Sequence, residues 1–292
     1  MSEGKKIQEA WAWGTKMLAE KGLELPQLEA EVLLRAVLNL ERAAFYARLT
    51  DFMSAEDFEL YQQKLFARLE GWPSQYLTGR QEFMSLSFLV NQDVLIPRPE
   101  SELLVELALE LLKDKKGKDY PVLELCTGSG AILISLLHYL PSLTGIGTDI
   151  SLKALRVAEQ NAFRHGVQER VSFLAGDLFQ PLREKMAGHK FDLILANPPY
   201  IPTKTIQTLQ REVRLYEPKL ALDGGEDGLD FYRRIVKEAA SFLDEGGIIM
   251  LEIGSDQGES VPELLRQSGI FSRVEVVLDL ARLPRVVVGY CN

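Results

Sequence analysis

From Glu100 onward, short apolar runs alternate with amphipathic stretches, and few architectures accept that pattern. The runs at 121–126, 144–148, 171–175, 191–196, 247–253, 274–278 and 286–290 read as strands. Strands separated by helix-length segments pair in parallel and need helices on both faces, so the pattern predicts an α/β domain with a seven-stranded, mostly parallel sheet. The last connection, 279–285, is too short for a crossover helix, so the final two strands are expected to pair antiparallel. That ending departs from a purely parallel dehydrogenase sheet.

Upstream of about Gly79 the rhythm is helical throughout. Ile7, Trp11 and Leu18, then Leu28, Val32, Leu33, Ala36 and Val37, recur at helical spacing. Ser54 followed by Asp57 marks a helix start, Phe58, Tyr61, Leu65 and Leu69 follow on one face, and Gly71 with Pro73 ends it. At Phe83, Leu86, Phe88, Val90 and Val94 the rhythm changes to that of a hairpin. The expected organisation is therefore a helical domain at 1–79, a hairpin linker at 80–98 and the sheet domain at 99–292.

Composition narrows the partners. No run of eighteen apolar residues occurs, and Met1–Lys6 is followed by no apolar signal core, so a soluble, cytoplasmic chain without a membrane partner is expected. Cys126 and Cys291, and the scattered His138, His165 and His189, form no ligand cluster, so no metal site is expected. A net charge of -9 argues against broad binding to nucleic acid, although a local basic patch stays open.

The first strand of the sheet runs into Cys126-Thr127-Gly128-Ser129-Gly130 and then the apolar helix start Ala131-Ile132-Leu133. Glycines there let the backbone approach a ligand at a helix N-terminus. Leu133 stands where a dinucleotide fingerprint needs its third glycine, which disfavours a bound pyrophosphate. Asp149 ends the second strand, where a carboxylate accepts both hydroxyls of a ribose or, alternatively, caps the helix that begins at Leu152. Asp177, Leu178 and Phe179 close the third strand with a polar group beside apolar ones, suited to an adenine.

The fourth strand ends in Asn197-Pro198-Pro199-Tyr200. An amide nitrogen is a poor nucleophile because its lone pair is delocalised. Methylating it requires two acceptors that grip its N–H groups and aim the lone pair. The Asn197 side-chain carbonyl and the Pro198 main-chain carbonyl supply such a pair, tandem prolines stiffen the loop, and Tyr200 is expected to stack on the planar substrate. Read without its context, the same tetrapeptide is a strand terminator with a turn asparagine.

These segments, with Tyr76-Leu77-Thr78-Gly79, Glu82-Phe83, Leu95-Ile96-Pro97-Arg98-Pro99-Glu100, Glu217-Pro218, Ala221-Leu222 and Gly224-Gly225, resemble the protein-(glutamine-N5) methyltransferases of peptide release factors, the PrmC or HemK family, along nearly the whole chain. The resemblance implies a seven-stranded class I (Rossmann-like) methyltransferase sheet with a small N-terminal helical domain. It implies transfer of a methyl group from S-adenosyl-L-methionine to the glutamine of the GGQ motif in class I peptide chain release factors, in support of translation termination. By similarity the donor site maps onto Cys126, Thr127, Gly128, Ser129, Gly130, Asp149, Leu178 and Asn197, joined by Asp177 and Phe179 from the reading above. The catalytic and glutamine-binding residues map onto Asn197, Pro198, Pro199 and Tyr200. The family usually has glycine at Cys126, often an aromatic residue at Leu178, and threonine at Ser101, which keeps a hydroxyl. Arg98 either pairs with a carboxylate near the donor or holds the hairpin against the sheet, with the structural role preferred. A nucleic-acid amino methyltransferase of the adenine type is the alternative, because such enzymes share the tetrapeptide.

Overall fold

The computed structural model describes residues 5–113, 121–186 and 188–291. Residues 1–4, part of the segment for which no signal core is expected, lie outside the described residues. The chain divides into two compact units, Met1–Arg80 with Gln210–Tyr216, and Gln81–Leu209 with Glu217–Asn292. No helix among the described residues is long and apolar enough to cross a membrane.

The first unit holds α1 (Ile7–Glu20), α2 (Pro26–Leu38), α3 (Arg42–Ala47), α4 (Ala55–Glu70) and α5 (Ser74–Thr78). Their apolar faces meet in a core that contains Ile7, Leu18, Leu33, Leu34, Phe45, Tyr61 and Leu65. The punctuation of α4 is local chemistry. Ser54 Oγ accepts the Asp57 N–H at 3.0 Å, and Gly71 ends the helix at φ 106°, where a Cβ would be strained. Gln210–Tyr216 belongs to this unit although the sequence boundaries place it in the sheet domain. Glu212 pairs with Arg68 at 3.1 Å, and Tyr216 donates to the Glu70 carbonyl at 3.1 Å while its ring lies 4.8 Å from that of Trp72. A short polar segment whose partners lie so far away in sequence carries no periodic signal.

The second unit opens with the hairpin β1 (Arg80–Phe83) and β2 (Leu86–Leu89). Val90 and Val94, read as part of that hairpin, are buried in irregular backbone beyond it. A 3-10 turn at Pro99–Ser101 leads into α6 (Glu102–Leu112). There follow β3 (Pro121–Leu125), α7 (Ala131–Tyr139), β4 (Thr144–Asp149), α8 (Leu152–Arg164), β5 (Val171–Ala175), α9 (Gln180–Lys185) and β6 (Phe191–Ala196). After α10 (Arg211–Tyr216) of the first unit come α11 (Asp230–Ala239), β7 (Leu243–Glu252), α12 (Ser260–Gln267), β8 (Phe271–Leu278) and β9 (Pro284–Cys291).

The seven strands lie in the order β5-β4-β3-β6-β7-β9-β8. The first five are parallel, and β9 runs antiparallel to both β7 and β8, as the short final connection requires. The central strands are apolar on both faces, with period two. Val122, Leu193, Leu195, Ile248 and Met250 pack with Leu104 of α6 and Leu133 of α7. Leu123, Ile194, Leu251 and Val287 pack with Ile235 of α11 and Leu265 of α12. Burying both faces fixes register, because a slip by one residue would exchange the two apolar sets.

In the helical unit, Gly14 is a packing residue. A Cβ there would lie 2.9 Å from Tyr61 Cζ and closer still to its hydroxyl, and the fully buried Tyr61 is tied to the Ala30 carbonyl at 3.2 Å. Gly14→Ala should therefore destabilise the chain by about 1–3 kcal/mol in urea denaturation despite alanine's better helix propensity, and Tyr61→Phe in that background should recover part of the loss. A stabilised Gly14→Ala variant would contradict this packing account.

Candidate functional site

Parallel strands bring their carboxyl ends to one edge, and the ends of β3, β4, β5 and β6 open there on a cleft of about 190 Å³. Its lining includes Cys126, Gly128, Asp149, Asp177, Leu178, Asn197 and Pro199, with Val94, Leu95 and Phe231 as apolar walls. A second recess shares Leu95, Cys126, Gly128 and Asn197 with the first and adds Pro97, Arg98, Ser101, Glu124, Thr127 and Ser129. Asn197 stands at the junction of the two.

The turn after β3 is left-handed in three places, Cys126 at φ 57°, Gly128 at φ 55° and Gly130 at φ 78°. At Gly128 a Cβ would meet nothing within 4 Å, so glycine serves the backbone conformation and leaves the main chain open toward the cleft. Cys126 adopts the same region with a side chain. Burial, with Asp149 and Glu124 nearby, pushes the Cys126 thiol well above its ordinary range and keeps it protonated. Thr127 gives its hydroxyl to Glu124, and the Ser129 carbonyl accepts Asn161 Nδ2 at 2.9 Å. These two residues shape the turn through those bonds.

Asp149 distinguishes between its two readings. The cap of α8 is Ser151, whose Oγ accepts the Ala154 N–H at 3.2 Å. Asp149 Oδ2 accepts the Gly128 N–H at 2.9 Å and Oδ1 that of Ser151 at 2.8 Å, which joins the glycine turn to β4. Each oxygen keeps a lone pair for a further donor, and burial raises the carboxyl's pKa against the pull of these two bonds. Asp177 lines the cleft and is paired with Arg234 at 2.6 Å, and Leu178 forms an apolar wall beside it. A carboxylate with spare acceptors, an apolar wall and open main chain at a glycine turn fit the ribose, the base and the amino-acid end of S-adenosyl-L-methionine.

One expected site residue lies elsewhere. Phe179 is fully buried on the far side of its loop and stacks on Phe242 with ring centroids 4.7 Å apart, so it belongs to the core rather than to the cofactor cleft. Successive residues of a chain diverge to opposite sides, and only Leu178 of that pair reaches the cleft. The ring of Tyr200, expected to stack on the substrate, is half-buried against the apolar cluster beneath α11, and burial pushes its hydroxyl up to about 12, with Glu252, Arg98 and Glu100 also nearby. The group of Tyr200 that the structure grips is its carbonyl. Gln257 Nε2 donates to it at 3.1 Å and to the Gly228 carbonyl at 3.0 Å, while Gln257 Oε1 accepts the Gly254 N–H at 2.9 Å. Gly224 presses on the same loop, since a Cβ there would lie 2.7 Å from Tyr200 Cα. Main-chain bonds between Ile201 and both Leu222 and Gly224 complete the clamp.

Arg98 pairs with a carboxylate. The partner is Glu217, whose other oxygen accepts the Ile96 N–H at 3.2 Å, so one buried carboxylate fixes the extended segment that lines both recesses. In the sequence, the Glu217-Pro218 segment stands out only through the resemblance, and Gln257, Asn161, Glu124 and Glu252 are given no role. Asn161, on α8, holds Leu89 through both main-chain groups at 2.7 and 3.1 Å besides its bond to Ser129. The two glutamates carry a signal that a reader of the sequence could have used, because each interrupts an apolar run of a central strand, Val122-Leu123-Glu124-Leu125 and Met250-Leu251-Glu252-Ile253.

Burial of Glu124 has a measurable consequence. Desolvation lifts its pKa to about 8, opposed by the Thr127 hydroxyl and the Leu133 N–H. In the unfolded chain a glutamate titrates near about 4.3. The folded state therefore holds a proton that the unfolded state releases, and this stabilisation is full below the unfolded value and lost as pH rises through about 8. Glu124→Gln cannot titrate. Its stability relative to wild type should rise by on the order of 3 kcal/mol between pH 5 and pH 8.5 in urea denaturation, and parallel pH curves would show that Glu124 ionises as freely as an exposed carboxylate.

Comparison with known proteins agrees with this geometry. Residues 9–79 match the PrmC N-terminal domain, and residues 116–272 match a methyltransferase domain. A release factor glutamine methyltransferase of Moorella thermoacetica is 45% identical to this chain, covering 97% of it and 98% of the relative. One from Geobacter sulfurreducens is 41% identical, covering 97% and 96%. Among solved structures, human methyltransferase 10 domain containing protein shares the fold, with a TM-score of 0.53 at 14% identity over 70% of this chain and 88% of that one. With such identity over almost its full length and both domains matched, the chain belongs to the family of release factor glutamine methyltransferases.

Proposed function

We propose that this enzyme transfers a methyl group from S-adenosyl-L-methionine to the side-chain amide nitrogen of a glutamine in class I peptide chain release factors, the GGQ glutamine by family resemblance. The observation that carries the reading is the position of Asn197, which lines both recesses at the end of β6 on a loop clamped by Gln257 and Gly224. Gly128, Asp149, Asp177, Leu178 and Asn197 hold the donor, which supplies an electrophilic methyl on a sulfonium. Asn197 Oδ1 and the Pro198 carbonyl accept the two N–H groups of the substrate amide and turn its lone pair toward the cleft. No base is needed before transfer, since the proton becomes acidic only when nitrogen carries positive charge. Catalysis then rests on orientation by acceptors that are fixed in advance.

The helical unit is the recognition element in this reading. A side-chain amide is too small to mark one glutamine among all others, and specific protein interfaces bury roughly 1,200–2,000 Å². The unit offers apolar side chains to solvent, among them Leu25, Phe52 and Phe66.

Incubation of the enzyme with methyl-labelled donor and either an intact release factor or DNA tests the proposal. Label should enter the release factor and disappear when its target glutamine is replaced; label in DNA would favour the amino-methylating alternative. Two variants should separate binding from chemistry. Asn197→Ala leaves donor affinity within a few-fold of wild type and lowers turnover by about one to two decades, the cost of an unmet buried hydrogen bond of roughly 1–3 kcal/mol. Asp149→Ala weakens donor binding by a comparable factor in calorimetry. Near-normal turnover of the first or unchanged affinity of the second would remove that residue from its role.

A further inference from the structure

Directly behind Asn197 lies a buried group to which the reading above gives no task. Glu252 ends β7, one residue beyond the last pair of the parallel register, Ala196 with Leu251, just as Asn197 follows Ala196 at the end of β6. Period two turns both residues to the face of Leu195 and Met250, toward the start of α6. Glu252 is 2% exposed, and among the described residues its Oε2 has no hydrogen-bond partner. Its main-chain carbonyl accepts the Tyr232 hydroxyl at 2.7 Å, and the polar neighbours that favour its ionised carboxyl include Ser101 and Asn197. Asn197 Nδ2 in turn donates to Ser101 Oγ at 3.2 Å.

An asparagine amide has two nearly isosteric orientations, and catalysis on a glutamine nitrogen works with one of them. Asn197 must present Oδ1 to the substrate, because Nδ2 would meet the substrate N–H groups donor to donor. Ser101 alone does not choose, since a hydroxyl both donates and accepts. An ionised carboxylate only accepts, so it tolerates Nδ2 and rejects Oδ1. We infer that Glu252 is a positioning residue which, together with Ser101, holds Nδ2 of Asn197 inward and so commits Oδ1 to the substrate amide. This rests on the proposed acceptor role of Asn197.

The surroundings of Glu252 supply little to replace that function. Arg285 of β9 directs its guanidinium to Asp279 at 3.2 Å and to the Ile253 carbonyl. Glu100, in the turn before α6, opposes ionisation, and Tyr200 and Tyr232 carry neutral hydroxyls raised by burial. Burial lifts the Glu252 carboxyl to about 7, against the pull of Ser101, Arg285 and Asn197. Its raised pKa means that it protonates as pH falls through neutrality. The protonated acid both donates and accepts, and the selection is lost.

Glu252→Gln keeps the shape but can set an amide N–H donor where the carboxylate only accepts, so that the flipped orientation of Asn197 becomes the favoured one, which makes it the test. Turnover should fall by about ten- to a hundredfold, while affinity for S-adenosylhomocysteine stays within about threefold. Wild-type turnover should rise with pH through about 7, and the variant should be flat there. In the Asn197→Ala background, Glu252→Gln should cost nothing further, because a residue that acts through Asn197 has nothing left to position. Turnover of Glu252→Gln within twofold of wild type, or losses that multiply in the double variant, would overturn the inference. If Glu252→Gln does not fold, Ser101→Ala carries the same double-variant comparison. Labelling of the release factor by wild type tests the functional reading itself. The ratios of variant to wild type are taken on whichever nitrogen the wild type methylates, so the two failures are distinguishable.

Discussion

The chemistry of this enzyme depends first on the register between β6 and β7. Leu195 faces Met250 and Ala196 faces Leu251, with the side chains of each strand alternating between two buried layers. A slip of one residue would send Leu195 and Ile194 to exchanged layers and would turn Asn197 away from the recess it lines. Because neither face of a parallel strand is exposed, that slip would disturb packing on both sides at once. The position of one amide at the sheet edge is thus secured by the apolar contacts of the four residues before it. The same logic sets Asp149, since β4 pairs with β3 and β5 through Thr148 and Asp149 themselves.

Register fixes where the reactive loop begins, and the loop must then be held. Two prolines limit φ in Asn197–Tyr200, and the backbone beyond them is bound from three directions, by Gln257, by Leu222 and Gly224, and by the close approach of Gly224 itself. On the opposite side of the recesses, Glu217 performs the equivalent task for the extended Leu95–Arg98 segment. Both walls are rigid because buried polar side chains satisfy main-chain groups that lie outside any helix or strand. Orientation of an amide nucleophile needs such walls, since a loop that sampled many conformations would spend most of its time out of line.

Period and punctuation made the sheet legible from the sequence. Alternating apolar runs placed each of the seven strands within a few residues, and the length of 279–285 alone foretold the antiparallel end. The glycine turn, Asp149 and Asn197 were legible because each ends a strand, and strand ends of a parallel sheet converge. Side-chain direction within a loop was not legible. Leu178 and Phe179 are neighbours of similar character, yet one lines the cleft and the other stacks on Phe242, a partner that no local pattern announces. Tyr200 shows the same ambiguity, because its aromatic ring suits a substrate and the apolar cluster under α11 equally well. Gln257 and the Gln210–Tyr216 segment act through tertiary contacts that leave no trace in a linear reading.

Glu124 and Glu252 belong to a different class, legible in principle and passed over because an apolar run with one acid in it still reads as a strand. Physically that single acid is the costly part. Ionising either carboxyl inside the sheet opposes desolvation, which is why both titrate far above an exposed glutamate. Apolar residues of similar volume would remove that cost, so stability alone does not account for an acid at either position. Their placement does. Glu124 accepts from Thr127 and from the N-terminal turn of α7, and so shapes the glycine turn that lines the cleft. Glu252 follows Leu251 on β7 as Asn197 follows its register partner Ala196 on β6, where an acid is suited to specify which end of an amide faces outward. Each acid thus lies one layer behind a functional group and contributes direction where an apolar side chain would contribute only volume.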